Sequence, residues 1–219
     1  MVEEKAMRIA DNGPHVITRL PALPMNRSAV KPASGRPTGA VRIIGGEWRG
    51  TRLPVLDRDG LRPSADRVRE TLFNWLQPML PGARVLDLFA GTGALGLEAV
   101  SRGAREAVLV ERDPQLAESL RQLAAKLPGG GRVQVAYADA LSWLQTASSG
   151  FDLAFVDPPF AGDLWGPALA AVDGRLCENA WLYVESPVSR AIAPAPGWRP
   201  HREGKTREVR YALYRRGLA

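Results

Sequence analysis

Residues 86–96 read "LDLFAGTGALG", an apolar run that breaks into a G-x-G-x-x-G and resumes at helical spacing. Gly91, Gly93 and Gly96 hold the glycine positions. Glycine adopts positive φ without a Cβ penalty and lets a backbone approach a ligand closely. The motif carries meaning where a strand precedes it and a helix follows. Here "ARVLDLF" (83–89) reads as a buried strand and "ALGLEAVSRG" (94–103) as a helix. A tight turn in any α/β protein could use two of these glycines, so the flanks have to decide.

Downstream the period keeps alternating. "EAVLVE" (106–111), "RVQVAYA" (132–138), "FDLAFVD" (151–157) and "AWLYVES" (180–186) read as strands. Between them "PQLAESLRQLAAKL" (114–127), "ALSWLQTA" (140–147) and "LWGPALAAV" (164–172) read as helices. "REVRYALYRR" (207–216) is expected as a final strand paired with a piece near "GWRPHRE" (197–203). Strands that alternate with helices predict an α/β fold, a mostly parallel sheet with helices on both faces.

Upstream, "AVRIIGGEWRGTRLPV" (40–55) reads as a hairpin around a glycine-rich turn. "RPSADRVRETLFNWLQPML" (62–80) reads as a helix capped by Ser64, with Val68, Leu72, Phe73, Trp75 and Leu76 on its apolar face and Pro78 and Pro81 at its end. Residues 1–38 mix Pro, Gly, Ser and Arg without a period and are expected to form a mobile basic tail, with Arg8, Arg19, Arg27, Lys31 and Arg36 either touching a polyanion or merely solvated. The expected division is therefore tail (1–38), hairpin and helix (39–81) and main domain (82–219).

Composition narrows the classes. A chain of 219 residues, 45% hydrophobic, is long enough for one full core. No apolar run approaches the about 18 residues of a membrane span, and "MVEEKAMRIADNG" does not read as a signal peptide, so a cytoplasmic protein is expected. A single cysteine, Cys177, and two distant histidines, His15 and His201, give no metal-ligand spacing, and no metal is expected. Net charge is +6 with a pI near 10.0, which favours a polyanionic partner.

Ligands of open α/β sheets lie beyond the carboxyl ends of the strands. Asp87, Glu111, Asp139 and Asp157 all fall at such ends. Glu111 is placed to accept hydrogen bonds from both hydroxyls of a ribose. Asp87 would repel a pyrophosphate but suits a cationic amino-acid head, which points to S-adenosylmethionine, with its ammonium and sulfonium. Asp139 is placed either to meet an adenine amino group or to cap the helix that starts at Ala140. Phe89, Gly91, Thr92, Gly93 and Ala140 complete the expected cofactor set.

The strand ending at Asp157 runs into Pro158, Pro159 and Phe160. Proline cannot extend a buried strand, so an acid and an aromatic ring are held together on a rigid loop. An exocyclic base amine is a poor nucleophile, because its lone pair is delocalised into the ring. Two acceptors on its hydrogens favour a pyramidal nitrogen; Asp157 and the Pro158 carbonyl supply them. Phe160 can stack on the base, for about 1–3 kcal/mol.

The set "RIIGGEWRG", "LRPSADRVRETLFNWL", "LDLFAGTGALGLEA", "AFVDPPF" and "YVES" resembles the family of 16S rRNA (guanine-N2)-methyltransferases known as RsmD, over roughly residues 41–216. The resemblance implies a Rossmann-like class I methyltransferase with a seven-strand-type sheet and a reversed final hairpin. It implies a guanine target in 16S rRNA within the small ribosomal subunit or an assembly intermediate; separately, a monomer is expected. It carries Asp157, Pro158, Pro159 and Phe160 onto base holding and catalysis, and the glycine loop, Glu111 and Asp139 onto the cofactor.

Arginine pairs phosphates and Trp stacks bases. Arg42, Trp48, Arg49 and Arg52 on the hairpin, with Arg62, Arg67 and Arg69 on the next helix, form the expected RNA face. The alternative for Trp48 is to pack the hairpin on the domain. Rival functions are a DNA adenine-N6 methyltransferase, a protein glutamine methyltransferase, an NAD-dependent oxidoreductase and a non-catalytic RNA-binding module. The first calls for a recognition domain for which the residues after "DPPF" are too few, the second typically has Asn for Asp157, the third leaves Asp87 and "DPPF" idle, and the fourth leaves the pocket unexplained.

Overall fold

The computed structural model describes residues 39–55 and 66–217. The tail 1–38, Arg62 and Ser64 lie outside the described residues. A small antiparallel pair, β1 (Gly39–Arg42) and β2 (Arg52–Val55), precedes α1 (Asp66–Leu76). Then come β3 (Arg84–Asp87), α2 (Ala94–Ser101), β4 (Glu106–Glu111), α3 (Pro114–Lys126), β5 (Val133–Tyr137), α4 (Ala140–Thr146), β6 (Phe151–Val156) and α5 (Trp165–Asp173). Three strands close the chain: β7 (Leu176–Pro187), β8 (Trp198–Lys205) and β9 (Val209–Arg216).

The main sheet has seven strands in the order β5-β4-β3-β6-β7-β9-β8. The first five are parallel, and β9 is antiparallel to both β7 and β8. The expected α/β class and reversed final hairpin are thus present. Chain order runs from β3 out to β5, then returns to place β6 on the other side of β3, with Asp87 opposite Phe155. That reversal opens a crevice at the carboxyl ends of the strands, the place where such sheets bind ligands.

The central parallel strands β3, β4 and β6 are apolar on both faces because both are covered. Val85, Leu109, Leu153 and Phe155 point to one side, into a core shared with α1, α2 and the hairpin residues Val41, Ile43 and Trp48. Leu86, Val108, Val110, Ala154 and Val156 point to the other, against Leu144 of α4 and Trp165, Leu169 and Val172 of α5. Phe155 meets Phe73 and Tyr183 edge-on, with centroids 6.1 and 6.0 Å away. Each such side chain stabilises the fold by about 1.5–3 kcal/mol through burial.

Local differences from the expected elements have local causes. Within the described residues, the helix expected over 62–80 is α-helical over 66–76 and tightens into a 3-10 turn at Gln77–Met79, where Pro78 has no N–H to continue it. The strand expected over 83–89 leaves the ladder after Asp87, where the glycine loop begins. β7 starts four residues earlier than expected and accommodates a register shift opposite Phe151–Leu153.

Candidate active site

A cleft of about 650 Å³ sits over the carboxyl ends of β3, β4, β5 and β6. Asp87, Phe89, Gly91, Thr92, Glu111, Asp139 and Ala140 line it, as do Asp157, Pro158, Pro159 and Phe160. Gly93 does not. Its φ of 74° makes the turn, and a Cβ there would stand 2.5 Å from Leu120 Cδ2, so glycine is required for packing on α3 rather than for ligand contact. Gly96 serves likewise against Leu109 of β4, where a Cβ would stand 2.6 Å from Leu109 Cδ1. Of the three glycines only Gly91, at φ 53°, faces the cleft.

Glu111 fixes this loop. Its Oε2 accepts from Gly91 N at 2.8 Å and its Oε1 from Asp113 N at 2.7 Å. Each oxygen keeps a second lone pair, which is what a pair of vicinal hydroxyls needs. Asp139 Oδ1 accepts from Ser142 N at 3.0 Å and caps α4, which holds its carboxyl below the usual range. The capping alternative is therefore realised, and Asp139 remains in the cleft wall with its other oxygen outside that bond.

Asp87 is buried, and its Oδ2 accepts from Gly96 N at 2.9 Å. Burial pushes its pKa up to about 7; the Gly96 bond opposes that and the Glu111 charge adds to it. Asp157, just past β6, is pushed well above the usual carboxylate range by burial, then by the charges of Glu185 and Asp87. Glu185, on β7, was not among the expected residues. Tyr183 donates to its Oε2 at 2.9 Å, and Trp165 Nε1 donates to its backbone carbonyl at 2.7 Å. It too ends a stretch of apolar strand, so the rule that found the other acids applies to it. Three neighbouring acids, Asp87 and Glu185 buried and Asp157 half-buried, repel one another; a cation in the cleft relieves all three.

The "DPPF" loop behaves as its prolines demand. Pro158 is buried, and Phe160 opens a 3-10 turn with its ring 5.8 Å from Trp165, tilted by 46° and half-exposed to the cleft. Asp163 closes that turn at φ 43°, rare for a residue with a Cβ, and pairs with Arg190 at 2.8 Å.

The expected RNA face divides. Arg42, Arg49, Arg52 and Arg67 are exposed. Arg42 and Arg52 are direct partners across the β1–β2 ladder, an arrangement of like charges that costs stability unless an anion lies between them. Trp48 is a correction: it is 2% exposed, and its Nε1 donates to Pro128 O at 2.9 Å. It packs the hairpin on the domain and is not free to stack on a base. The glycine turn beside it also faces inward. Ile44 N and Gly45 N donate to Glu98 of α2 at 2.7 and 2.8 Å, and a Cβ on Gly46 would collide with Ser101 O. Arg69 is the second correction. It is fully buried and lines the cleft instead of the outer surface.

The family model "Conserved hypothetical protein 95" matches residues 41–215, and the ribosomal RNA small subunit methyltransferase D of Escherichia coli K12 is 45% identical over 182 residues, 82% of this chain and 91% of that one. The chain belongs to that family. The solved structure of yhhF from Escherichia coli is similar as well, with a TM-score of 0.75, 42% identity and coverage of 83% of this chain and 100% of that one. A more distant structure shares the fold at TM-score 0.56 and 14% identity, over 71% of this chain and 94% of the other. It is an RNA methyltransferase from Salinibacter ruber in complex with S-adenosyl-L-homocysteine. The family is thus one of methyltransferases, and the match spans both the hairpin and the cleft.

Proposed function

We propose that the chain transfers a methyl group from S-adenosylmethionine to the exocyclic N2 amine of a guanine in 16S rRNA, within the small ribosomal subunit or an assembly intermediate, acting as a cytoplasmic monomer. One observation carries the reading: the "DPPF" loop shares a single cleft wall with the glycine loop and Glu111. The donor set suits this cofactor. Glu111 offers two acceptors to a ribose, and the buried acids offer charge to an ammonium and a sulfonium.

When bound, S-adenosylmethionine supplies an electrophilic methyl group. Asp157 and the Pro158 carbonyl accept the two amine hydrogens and aim the nitrogen lone pair; Phe160 holds the ring plane. The nitrogen becomes acidic once alkylated, so no strong base is needed, and Asp157 is placed to take the proton. Alignment and electrostatics account for the rate. Arg42, Arg49, Arg52 and Arg67 meet rRNA phosphates, with the hairpin as the substrate-facing element.

The test is transfer of a labelled methyl group to small subunits that lack the native modification, followed by nuclease digestion and base chromatography. Label in N2-methylguanine is expected. Label in N6-methyladenine, or none in subunits, overturns the reading.

A further inference from the structure

Arg69 is placed on the buried stripe of α1, three and four residues from Leu72 and Phe73. Its side chain is 0% exposed. Nη2 is fully used: it donates to Arg42 O at 2.9 Å and to Asp66 Oδ1 at 2.7 Å. Nη1 stands 3.7 Å from Glu98 Oε2, too far for a hydrogen bond. Glu98 is already engaged by Ile44 N, Gly45 N and Arg102 Nε. Nε and Nη1 of Arg69 are the buried side-chain polar atoms without a hydrogen-bond partner among the described residues. A buried cationic donor left unmade is costly, and native folds rarely tolerate one without a ligand.

The surroundings define the missing partner. Arg69 lines the same cleft as Asp87, Asp157 and Glu185, and among the described lining residues it is the buried cation; Arg112 is exposed on the rim. A ligand bearing an ammonium and a sulfonium satisfies the acids, but an amino-acid head also brings a carboxylate. That carboxylate would be repelled everywhere along this wall except at Arg69. Arg69 borders the cleft and has no surface on the outside of the domain, so a phosphate of polymeric RNA does not reach it. The anion has to arrive at the end of a small molecule that enters the cleft.

We propose that Arg69 anchors the α-carboxylate of the cofactor's amino-acid end through Nε and Nη1, the donors that make no hydrogen bond within the protein. The inference rests on the reading of the cleft as an S-adenosylmethionine site. It also makes one side chain serve two partners, because Nη2 of the same guanidinium holds the backbone of β1 at Arg42.

The experiment is calorimetric titration of the full chain with S-adenosylmethionine and with decarboxylated S-adenosylmethionine, which keeps the adenosine, sulfonium and amine. The wild type is expected to bind the decarboxylated compound about 10- to 100-fold more weakly, the span of one charge-assisted hydrogen-bonded contact. Arg69→Met is expected to lose that factor for S-adenosylmethionine and to bind the decarboxylated compound as the wild type does. Arg69→Lys is expected to retain part of the discrimination. Equal loss for both ligands in a folded Arg69→Met, or a wild type indifferent to the carboxylate, overturns the assignment. If Arg69→Met does not fold, Arg69→Lys decides, and a Lys variant that discriminates as fully as the wild type overturns the assignment. A wild type that binds neither compound refutes the cofactor reading itself, a result distinct from failure of the Arg69 assignment alone.

Discussion

Replacing Glu98 by Gln is expected to loosen the hairpin from the sheet. The carboxylate is fully buried and accepts from Ile44 N, Gly45 N and Arg102 Nε at 2.7, 2.8 and 2.7 Å, beside the Arg69 guanidinium. Glutamine keeps one acceptor and turns the other into a donor that faces an N–H. One buried backbone donor then lacks a partner, for about 1–3 kcal/mol. Arg69 and Arg102 also lose their shared countercharge; breaking a buried pair costs about 3–5 kcal/mol. The same two oxygens serve both roles, so the terms overlap rather than add, and about 3–5 kcal/mol is the expected total. For a protein of this size each kcal/mol lowers the melting temperature by about 2–4 °C, so the drop is about 6–20 °C. Thermal melts give the global figure, and native-state hydrogen exchange at Ile44 and Gly45 locates it. A melting temperature within about 2 °C of wild type, with unchanged protection at both amides, would refute the view that Glu98 holds the hairpin.

Asp157→Ala is expected to lower the single-turnover methylation rate by about 10²–10³-fold, the size of effect seen when an oriented polar group is deleted; a near-normal rate removes Asp157 from the chemistry. Phe160→Tyr is expected to keep activity and Phe160→Ala to lose it, and equal rates for the two would rule out stacking. Affinity for S-adenosylmethionine is expected to climb with pH over the range up to about 7. Asp87 carries its proton up to about 7 in the free protein, a cation beside it favours the ionised form, and binding below that pH must therefore release a proton, at up to about tenfold per pH unit. The free protein is expected to lose stability over the rise from about 4 to 7, since the folded state there binds more protons than the unfolded one; calorimetry and melts across pH that show the opposite slopes contradict this. Changing Arg42, Arg49 and Arg52 together to Ala is expected to weaken binding to small subunits and to reduce the log–log salt slope by about 0.7–0.9 per lost phosphate contact, with cofactor affinity unchanged. An unaltered slope moves the RNA face elsewhere.

Strand-end acids were legible because a strand's direction tells which end its last residue occupies, so Asp87, Glu111, Asp139 and Asp157 could be placed from chain order alone. "DPPF" was legible because proline's missing N–H is a local fact. Trp48 and Arg69 were misplaced because their types suit RNA, while what settles their positions is long-range: Pro128 receives the indole N–H from 80 residues away. The spacing of α1 did contain a warning. Arg69 falls in register with Leu72, Phe73 and Leu76, but periodicity assigns a face and does not say what a charge on the apolar face will meet. Gly93 looked like a ligand contact because the motif is written as three glycines. Its Cβ direction, toward Leu120, depends on α3 and is invisible in the motif.

The position of β9 between β7 and β8 has a consequence for how the chain matures as it is made. During synthesis β7 and β8 leave the ribosome first, yet neither is hydrogen-bonded to the other in the finished sheet. Until Val209–Arg216 has emerged, the outer edge of β7 is an open row of unpaired backbone groups, a template for the wrong partner. β8 meanwhile stays in water, which its exposed Arg199, Arg202 and Lys205 allow. Closing the sheet is then a single late insertion that zips both edges at once. A stalled or prematurely ended chain is correspondingly expected to carry a complete cleft-forming half on a sticky, unfinished edge.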